Sequence, residues 1–272
     1  MKLGEQQRAE FLEVLRKFYE KAGRSSLPWR QPERNGSFDP YKVMVSELML
    51  QQTQVVRVTP KYHTFLERFP STTSLAQASL GDVLRVWQGL GYNRRAKFLW
   101  QSAQALNKLK HFPSALEELT KLPGIGTNTA GAILAYTYNQ PVIFVETNIR
   151  TVYIHHFFHG RTDISDKEII SLLEQTLDRK NPREFYWALM DYGSHLKATA
   201  GNANKASRHY TRQSAFHGSR RQVRGQVIRL LGETNLMLAD LQAAIADERL
   251  ESILSDLVTE GLVRRQNGTY SL

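Results

Sequence analysis

Residues 122–131, LPGIGTNTAG, limit the possible folds of this chain more than any other stretch. Pro123 closes the helix-patterned run SALEELTKL, Gly124 and Gly126 make a tight polar turn, and TAGAILAY continues as a second helix. Such a turn ties two helices together at a close crossing. It also presents backbone N–H groups at a helix N-terminus, which is a site for an anion. A dinucleotide pyrophosphate and a nucleic-acid phosphate both qualify. Gly-x-Gly with an acid, Glu146, about 20 residues further on imitates the dinucleotide fingerprint. That fingerprint requires a strand before the first glycine and a third glycine elsewhere than Gly131. The turn therefore reads as a helix-hairpin-helix, with Gly124, Ile125, Gly126, Thr127 and Thr129 on the phosphate side, contacts that position a protein without reading sequence.

Apolar residues recur at helical spacing along most of the chain, and no hairpin signature occurs before the last few residues. EFLEVLRKFYEKAG reads as a first helix closed by Gly23, and YKVMVSELMLQQ as a second. TQVVRVTPKYHTFLERF is a third, capped near Thr53 and broken at Pro70. STTSLAQASLGDVLRVW gives two short helices with serine starts, and NRRAKFLWQSAQALNKL a long basic one. Two more follow near 147–158 and 166–177, and PREFYWALMDYGSHLK ends an all-α body near Lys197. The next residues are small, polar and basic. RRQVRGQVIRLLGE, LMLADLQAAIA and ERLESILSDLVTEG then read as three helices, and LVRRQNGTYSL as a hairpin around Asn267-Gly268. Three helices and a hairpin make a winged helix, with Arg249, Glu251 and Ser252 on the third helix and Arg264 and Arg265 on the wing. DNA and protein both stay open as its partner. The expected layout is a helical body over 1–197, a basic linker over 198–218 and a winged helix over 219–272.

The 272 residues carry a formal net charge of +10, which favours a polyanionic partner. The absence of cysteine removes disulfides, thiolate chemistry and any Cys-ligated zinc or iron–sulfur cluster. His155 and His159 lie one turn apart without a third partner, so no metal site is expected. No apolar run approaches the roughly 18 residues that span a bilayer. The opening MKLGEQQRAEFLEVL is too charged for a secretory segment, and the expected compartment is the cytoplasm, with no membrane partner.

LPGIGTNTAGAILAYTYNQPVIFVETNIRTV resembles the helix-hairpin-helix DNA glycosylases. LPWR, DPYKVMVSELMLQQTQVVRVTPKY, FLERFPSTTSLAQASLGDVLRVWQGLGYNRRAKFL and FYWALMDYG narrow the resemblance to the catalytic domain of MutY-type adenine glycosylases, over residues 24–197. It implies a body of two helical subdomains acting on mismatched or damaged double-stranded DNA, and so an enzyme associated with the nucleoid; a monomer is expected only by default. The implied reaction removes adenine opposite 8-oxoguanine or guanine, by base flipping and acid-catalysed N-glycosidic cleavage.

Breaking that bond needs a proton on the leaving base and stabilisation of an oxocarbenium ion on the sugar. Two carboxyl groups in unlike surroundings can divide the work. Glu47 interrupts the apolar run VMVSELML; burial there would raise its pKa, as suits a general acid, and the family's acid aligns with it. A glutamate on the solvent side of an amphipathic helix gives the same pattern. Glu146 stands where the family has an aspartate, in a D-G-N turn that here reads Glu146-Thr147-Asn148. Its position equally suits a helix cap. Its extra methylene displaces the carboxylate by about 1 Å, enough to cost about 100-fold in rate. Asn128 replaces the lysine with which relatives of the endonuclease III type attack the sugar; an amide forms no Schiff base, so the implied enzyme is monofunctional.

By the same resemblance Gln51 and Gln52 enter the duplex, and Tyr92 wedges beside the opposing base with Leu90 nearby. Arg94, Arg95 and Lys97 offer phosphate contacts, and Trp29 and Arg30 match the adenine pocket. Three departures stand against these matches. Lys197 lies near the place of the first cluster cysteine, so no iron–sulfur cofactor is expected. The family's 8-oxoguanine-reading domain is replaced by the winged helix, and Trp187 replaces a polar residue that contacts adenine. Two other functions stay open: a glycosylase for uracil or thymine mispairs or another damaged base, and a non-catalytic lesion-binding protein.

Overall fold

The computed structural model describes residues 1–272. Fourteen α-helices and one small sheet form two compact units. One unit comprises Met1–Val43, Ser114–Thr120 and Ile125–Arg212; the other comprises Met44–Pro113, Lys121–Gly124 and Gln213–Leu272. The boundaries expected at 197 and 218 do not coincide with the edges of these units. The cuts fall inside the second helix, α2 (Pro40–Leu50), and inside the glycine turn. The C-terminal residues join 44–113 rather than standing alone. No helix is long and apolar enough to cross a membrane.

The first unit is built on α11 (Pro182–Thr199), which packs against α1 (Glu5–Ala22), α8 (Thr127–Tyr138) and α9 (Thr147–Phe157). Phe185, Tyr186, Trp187, Leu189, Tyr192 and Leu196 are all buried on it, so the helix is apolar on several faces. In α8 every residue from Ala130 to Thr137 is buried. Small residues set how closely these helices meet. A Cβ on Gly131 would lie 2.9 Å from the Phe144 ring, which explains this glycine by packing. A Cβ on Gly193 would lie 2.4 Å from the Asn148 carbonyl oxygen, so α11 touches the start of α9 backbone to backbone. Arg183 closes the other end of α8, donating to the carbonyls of Tyr136 and Thr137. α7 (Leu116–Leu119) and α10 (Asp166–Thr176) complete this unit. The residues expected as a linker are partly fixed: Ile164 N–H donates to Ala206 O and Arg208 N–H to Ile164 O, both at 3.0 Å.

The second unit holds α3 (Val55–Arg68), α4 (Thr72–Gln77), α5 (Leu80–Trp87) and α6 (Arg94–Leu106). The serine starts are real caps: Ser71 Oγ accepts from Ser74 N–H and Ser79 Oγ from Asp82 N–H, both at 3.1 Å. Thr53 does not cap α3, whose N-cap is Gln54. The C-terminal part runs α12 (Arg220–Glu233), β1 (Leu236–Met237), α13 (Leu238–Ala244), α14 (Leu250–Thr259), β2 (Arg264–Gln266) and β3 (Thr269–Ser271). The antiparallel sheet has the order β1-β3-β2, with Tyr270 opposite both Leu236 and Arg265. Asn267 and Gly268 take φ of 49° and 79°, the pair of positive values that a two-residue hairpin needs. The two-residue β1 carries no alternation and escapes sequence reading. This part is bound to α5 and α6 by Arg85 Nε donating to Gly232 O at 2.9 Å and Lys97 Nζ to Glu260 O.

Gly193→Ala tests the close approach of α11 to α9. The added methyl meets fixed backbone, and the expected loss is about 1–3 kcal/mol of unfolding free energy, read from the denaturant midpoint.

Candidate functional site

In the first unit Glu146 is the N-cap of α9. Its Oε1 accepts from Asn148 N–H at 2.6 Å and Ile149 N–H at 3.1 Å. These bonds satisfy two otherwise orphan amides, so the capping role is present in the structure. Burial pushes the Glu146 carboxyl above its ordinary pKa, against the pull of the Lys197 ammonium, the two amides and Arg150. Asn128 lies beside the same turn: its Oδ1 accepts from Val145 N–H at 3.4 Å, and the rest of its side chain is exposed. Two residues from different helices, singled out separately in the sequence, are thus brought together.

Arg30 behaves otherwise. Its guanidinium grips Asp191 with two parallel bonds, Nη1 to Oδ2 at 2.8 Å and Nη2 to Oδ1 at 2.9 Å. Arg24 adds its main-chain N–H at 2.7 Å and its Nε at 2.8 Å to the same carboxylate. Burial alone would raise Asp191, but the two arginines outweigh it and hold the carboxyl below its ordinary range. The Arg30 side chain is 4% exposed, with Trp187 beneath its guanidinium at 5.3 Å. The fork expected at a base pocket is therefore spent on a structural pair. Trp29 is buried as well.

In the second unit Glu47 sits in α2 between neighbours that are wholly enclosed: Met44, Val45, Leu48 and Met49 are each 0% exposed. Glu47 itself is only half-buried, so the full enclosure expected from its apolar run is not reached. After α2 the chain turns through Gln51 and Gln52, and Gln52 holds a left-handed φ of 54°. Tyr92 does the same at 48° in the loop before α6. For such residues this backbone is uncommon and must be enforced from outside.

Arg95 enforces it. Its Nη1 donates to the carbonyls of Leu48, Met49 and Gln51, and its Nη2 to Thr53 Oγ1, Leu90 O and Gly91 O. The guanidinium also lies 5.4 Å from the rings of both Trp87 and Tyr92. Burial draws its pKa down to about 10, so it remains a cation at neutral pH; its two terminal nitrogens bond only neutral oxygens, and its buried Nε has no partner. The phosphate contact expected of Arg95 is thus excluded by its burial. Leu90, 2% exposed, likewise points into the core. Arg94 is exposed and free of that role.

Gln51, Gln52, Tyr92 and Arg94 line a groove of about 550 Å³ together with Arg221 and Arg224 of α12. Arg221 stacks 5.0 Å from the Tyr92 ring and, like Gln213, donates to its hydroxyl. Sequence reasoning missed Arg221 and Arg224; their spacing of three along a basic helix was the available signal. It pointed instead to Arg249, which is tied to Asp247 at 2.6 Å.

The glycine turn has the local geometry of an anion site. Gly124 takes φ +76°, and a Cβ there would lie 2.6 Å from Phe98 Cβ. Gly126, the N-cap of α8, is exposed with nothing within 4 Å of a Cβ, and the helix has no side-chain cap. Thr127 is exposed there too, while the Ile125 side chain is buried and only its backbone faces the turn.

The family of HhH-GPD superfamily base excision DNA repair proteins matches residues 45–179. An adenine DNA glycosylase of Mycobacterium tuberculosis is 32% identical over 289 residues, covering 94% of this chain and 91% of the relative. One from Buchnera aphidicola is 38% identical over 190 residues, and there the match spans about half the relative's length, 52%. One from Mus musculus is 33% identical over 77% of this chain and 42% of its own. Among solved structures, a thermostable thymine-DNA glycosylase aligns with TM-score 0.61 at 20% identity, over 73% of this chain and 91% of that one. A trapped endonuclease III–DNA covalent intermediate aligns with TM-score 0.60 at 19% identity, over 71% and 88%. At those identities the structures speak for the fold alone.

Arg95→Ala should remove the common donor of six oxygens and free the turns around Gln52 and Tyr92. The expected cost is about 3 kcal/mol of unfolding free energy, measured by chemical denaturation.

Proposed function

The chain belongs to the HhH-GPD superfamily of base excision DNA repair proteins, and from that premise we propose that it is a monofunctional adenine DNA glycosylase. Its substrate is duplex DNA in which adenine faces 8-oxoguanine or guanine. The observation that carries the reading is Asn128 hydrogen-bonded to the backbone beside Glu146, at the mouth of the glycine turn. The Asn128 amide can form no Schiff base, and the neighbouring Glu146 carboxylate can stabilise positive charge on a sugar, which supports the reading.

In this reading Glu47 protonates the departing adenine and Glu146 stabilises the oxocarbenium ion, which water then captures. The product is an abasic site in an unbroken strand. The unpaired amides at Gly126 and Thr127 hold a phosphate, and Arg94, Arg221 and Arg224 supply cations along the groove beside Gln52 and Tyr92. The element order of the C-terminal part supports a winged helix that adds to this cationic face through α12. The protein acts as a monomer at the nucleoid and needs no iron–sulfur cluster, having no cysteine to hold one.

Single-turnover excision on duplexes with A opposite 8-oxoguanine, A:G, T:G and U:G tests the substrate. Adenine release from the first two, with strands intact until alkali is added, is the expected result. Release of thymine or uracil instead, or binding without release, would replace it. Glu47→Gln should slow excision by about 10²- to 10⁴-fold while duplex affinity in a gel-shift assay is retained. Wild-type affinity should fall by about 100-fold between about 50 and 200 mM salt as counterions are released, measured by fluorescence anisotropy.

A further inference from the structure

The N-terminus of α9 contains a charge that neither the caps nor the core explains. Lys197 Nζ donates to Asn148 Oδ1 at 2.7 Å. It is half-buried, and its acceptor there is a neutral amide. A cation near a helix N-terminus faces the positive end of the helix dipole, so this placement is unfavourable unless negative charge accompanies it. The negative charge present is Glu146, two residues from Asn148, whose Oε1 is bound to the Asn148 amide. We infer that Lys197 is a positioning residue for Glu146, fixing the Asn148 side chain and serving as counter-charge to the neighbouring carboxylate. The inference rests on the reading above, in which that carboxylate acts in excision.

The packing of α11 explains why Lys197 reaches this point. Gly193, one helical turn earlier, lies against the Asn148 carbonyl, so the same helix face delivers the Lys197 stem along the first turn of α9. The other charges nearby are already committed or exposed. Arg150, on α9 itself, holds Asp166 of α10 with two bonds of 2.7 Å. His209 approaches the same aspartate at 3.9 Å, and Lys205, on the turn packed over α9, is exposed. Lys197 is therefore the half-buried cation here with no carboxylate bonded to it. Burial lowers its pKa and Glu146 raises it, while Lys197 is the strongest of the influences that lower Glu146. The two charges support each other in a setting that penalises each alone.

The sign of the pH dependence follows. Burial already raises Glu146, so its carboxylate is lost on acidification at a higher pH than an ordinary glutamate. Removing Lys197 raises it further. Lys197→Met should move the acid limb of the single-turnover profile up by about one pH unit and slow adenine excision at pH 6 by about tenfold. Lys197→Arg should restore the wild-type limb, and Glu146→Gln should abolish the limb. Carbon-13 NMR titration of the Glu146 carboxyl in the wild type and in Lys197→Met reads the coupling without catalysis. An unchanged Glu146 titration in Lys197→Met overturns the inference. A titration that shifts in a protein that excises no adenine leaves the coupling standing and overturns the glycosylase reading instead.

Discussion

A buried guanidinium whose hydrogen bonds all go to neutral oxygens organises the surface of the second unit. Arg95 donates to backbone from the end of α2 and from the loop before α6, segments about forty residues apart in sequence. Its rigid fork of donors can satisfy several carbonyls at once, which an ammonium of three rotatable donors cannot reproduce. Gln52 and Tyr92 sit in backbone conformations that cost energy, and the carbonyls around them are those that Arg95 holds. The side chains of Gln52 and Tyr92, proposed to meet a DNA duplex, are thus presented by a buried cation.

The first unit uses the same physics with the opposite counterpart. Arg30 and Arg24 converge on Asp191, a carboxylate that would be costly to bury alone. Around Glu146 the arrangement is looser: two amides, one ammonium that bonds a neighbouring amide, and an arginine engaged elsewhere. At Glu146 burial outweighs the nearby cation and leaves the carboxyl above its ordinary pKa, whereas at Asp191 two directly bonded arginines outweigh burial, which distinguishes the two sites.

Charge type alone misled the reading of several residues. In a chain of net charge +10, an arginine in a basic helix reads as a phosphate contact, and Arg94 and Arg95 are indistinguishable by pattern. The structure separates them completely, one exposed and one 6% exposed. Glu47 shows the converse: apolar neighbours on both sides imply enclosure, yet a helix turns each residue to its own face, and Glu47 stays half-buried. The sequence pattern assigns Lys197 only a place near the missing cluster cysteine and Arg221 no role, because their importance lies in what α9 and Tyr92 place opposite them.

What the sequence by itself determined is whatever local stereochemistry dictates. Serines 71 and 79 start helices because their hydroxyls reach amides three residues on, and Asn267-Gly268 turns because both accept positive φ. The glycine hairpin is legible for the same reason, and its motif, with the quoted stretches around it, was enough to indicate the family. The tertiary structure decided which charges are buried, how the chain divides into units, and which side chains meet across long separations. Those outcomes depend on contacts between residues far apart in the chain, and burial changes the energy of a charge by more than any local pattern encodes.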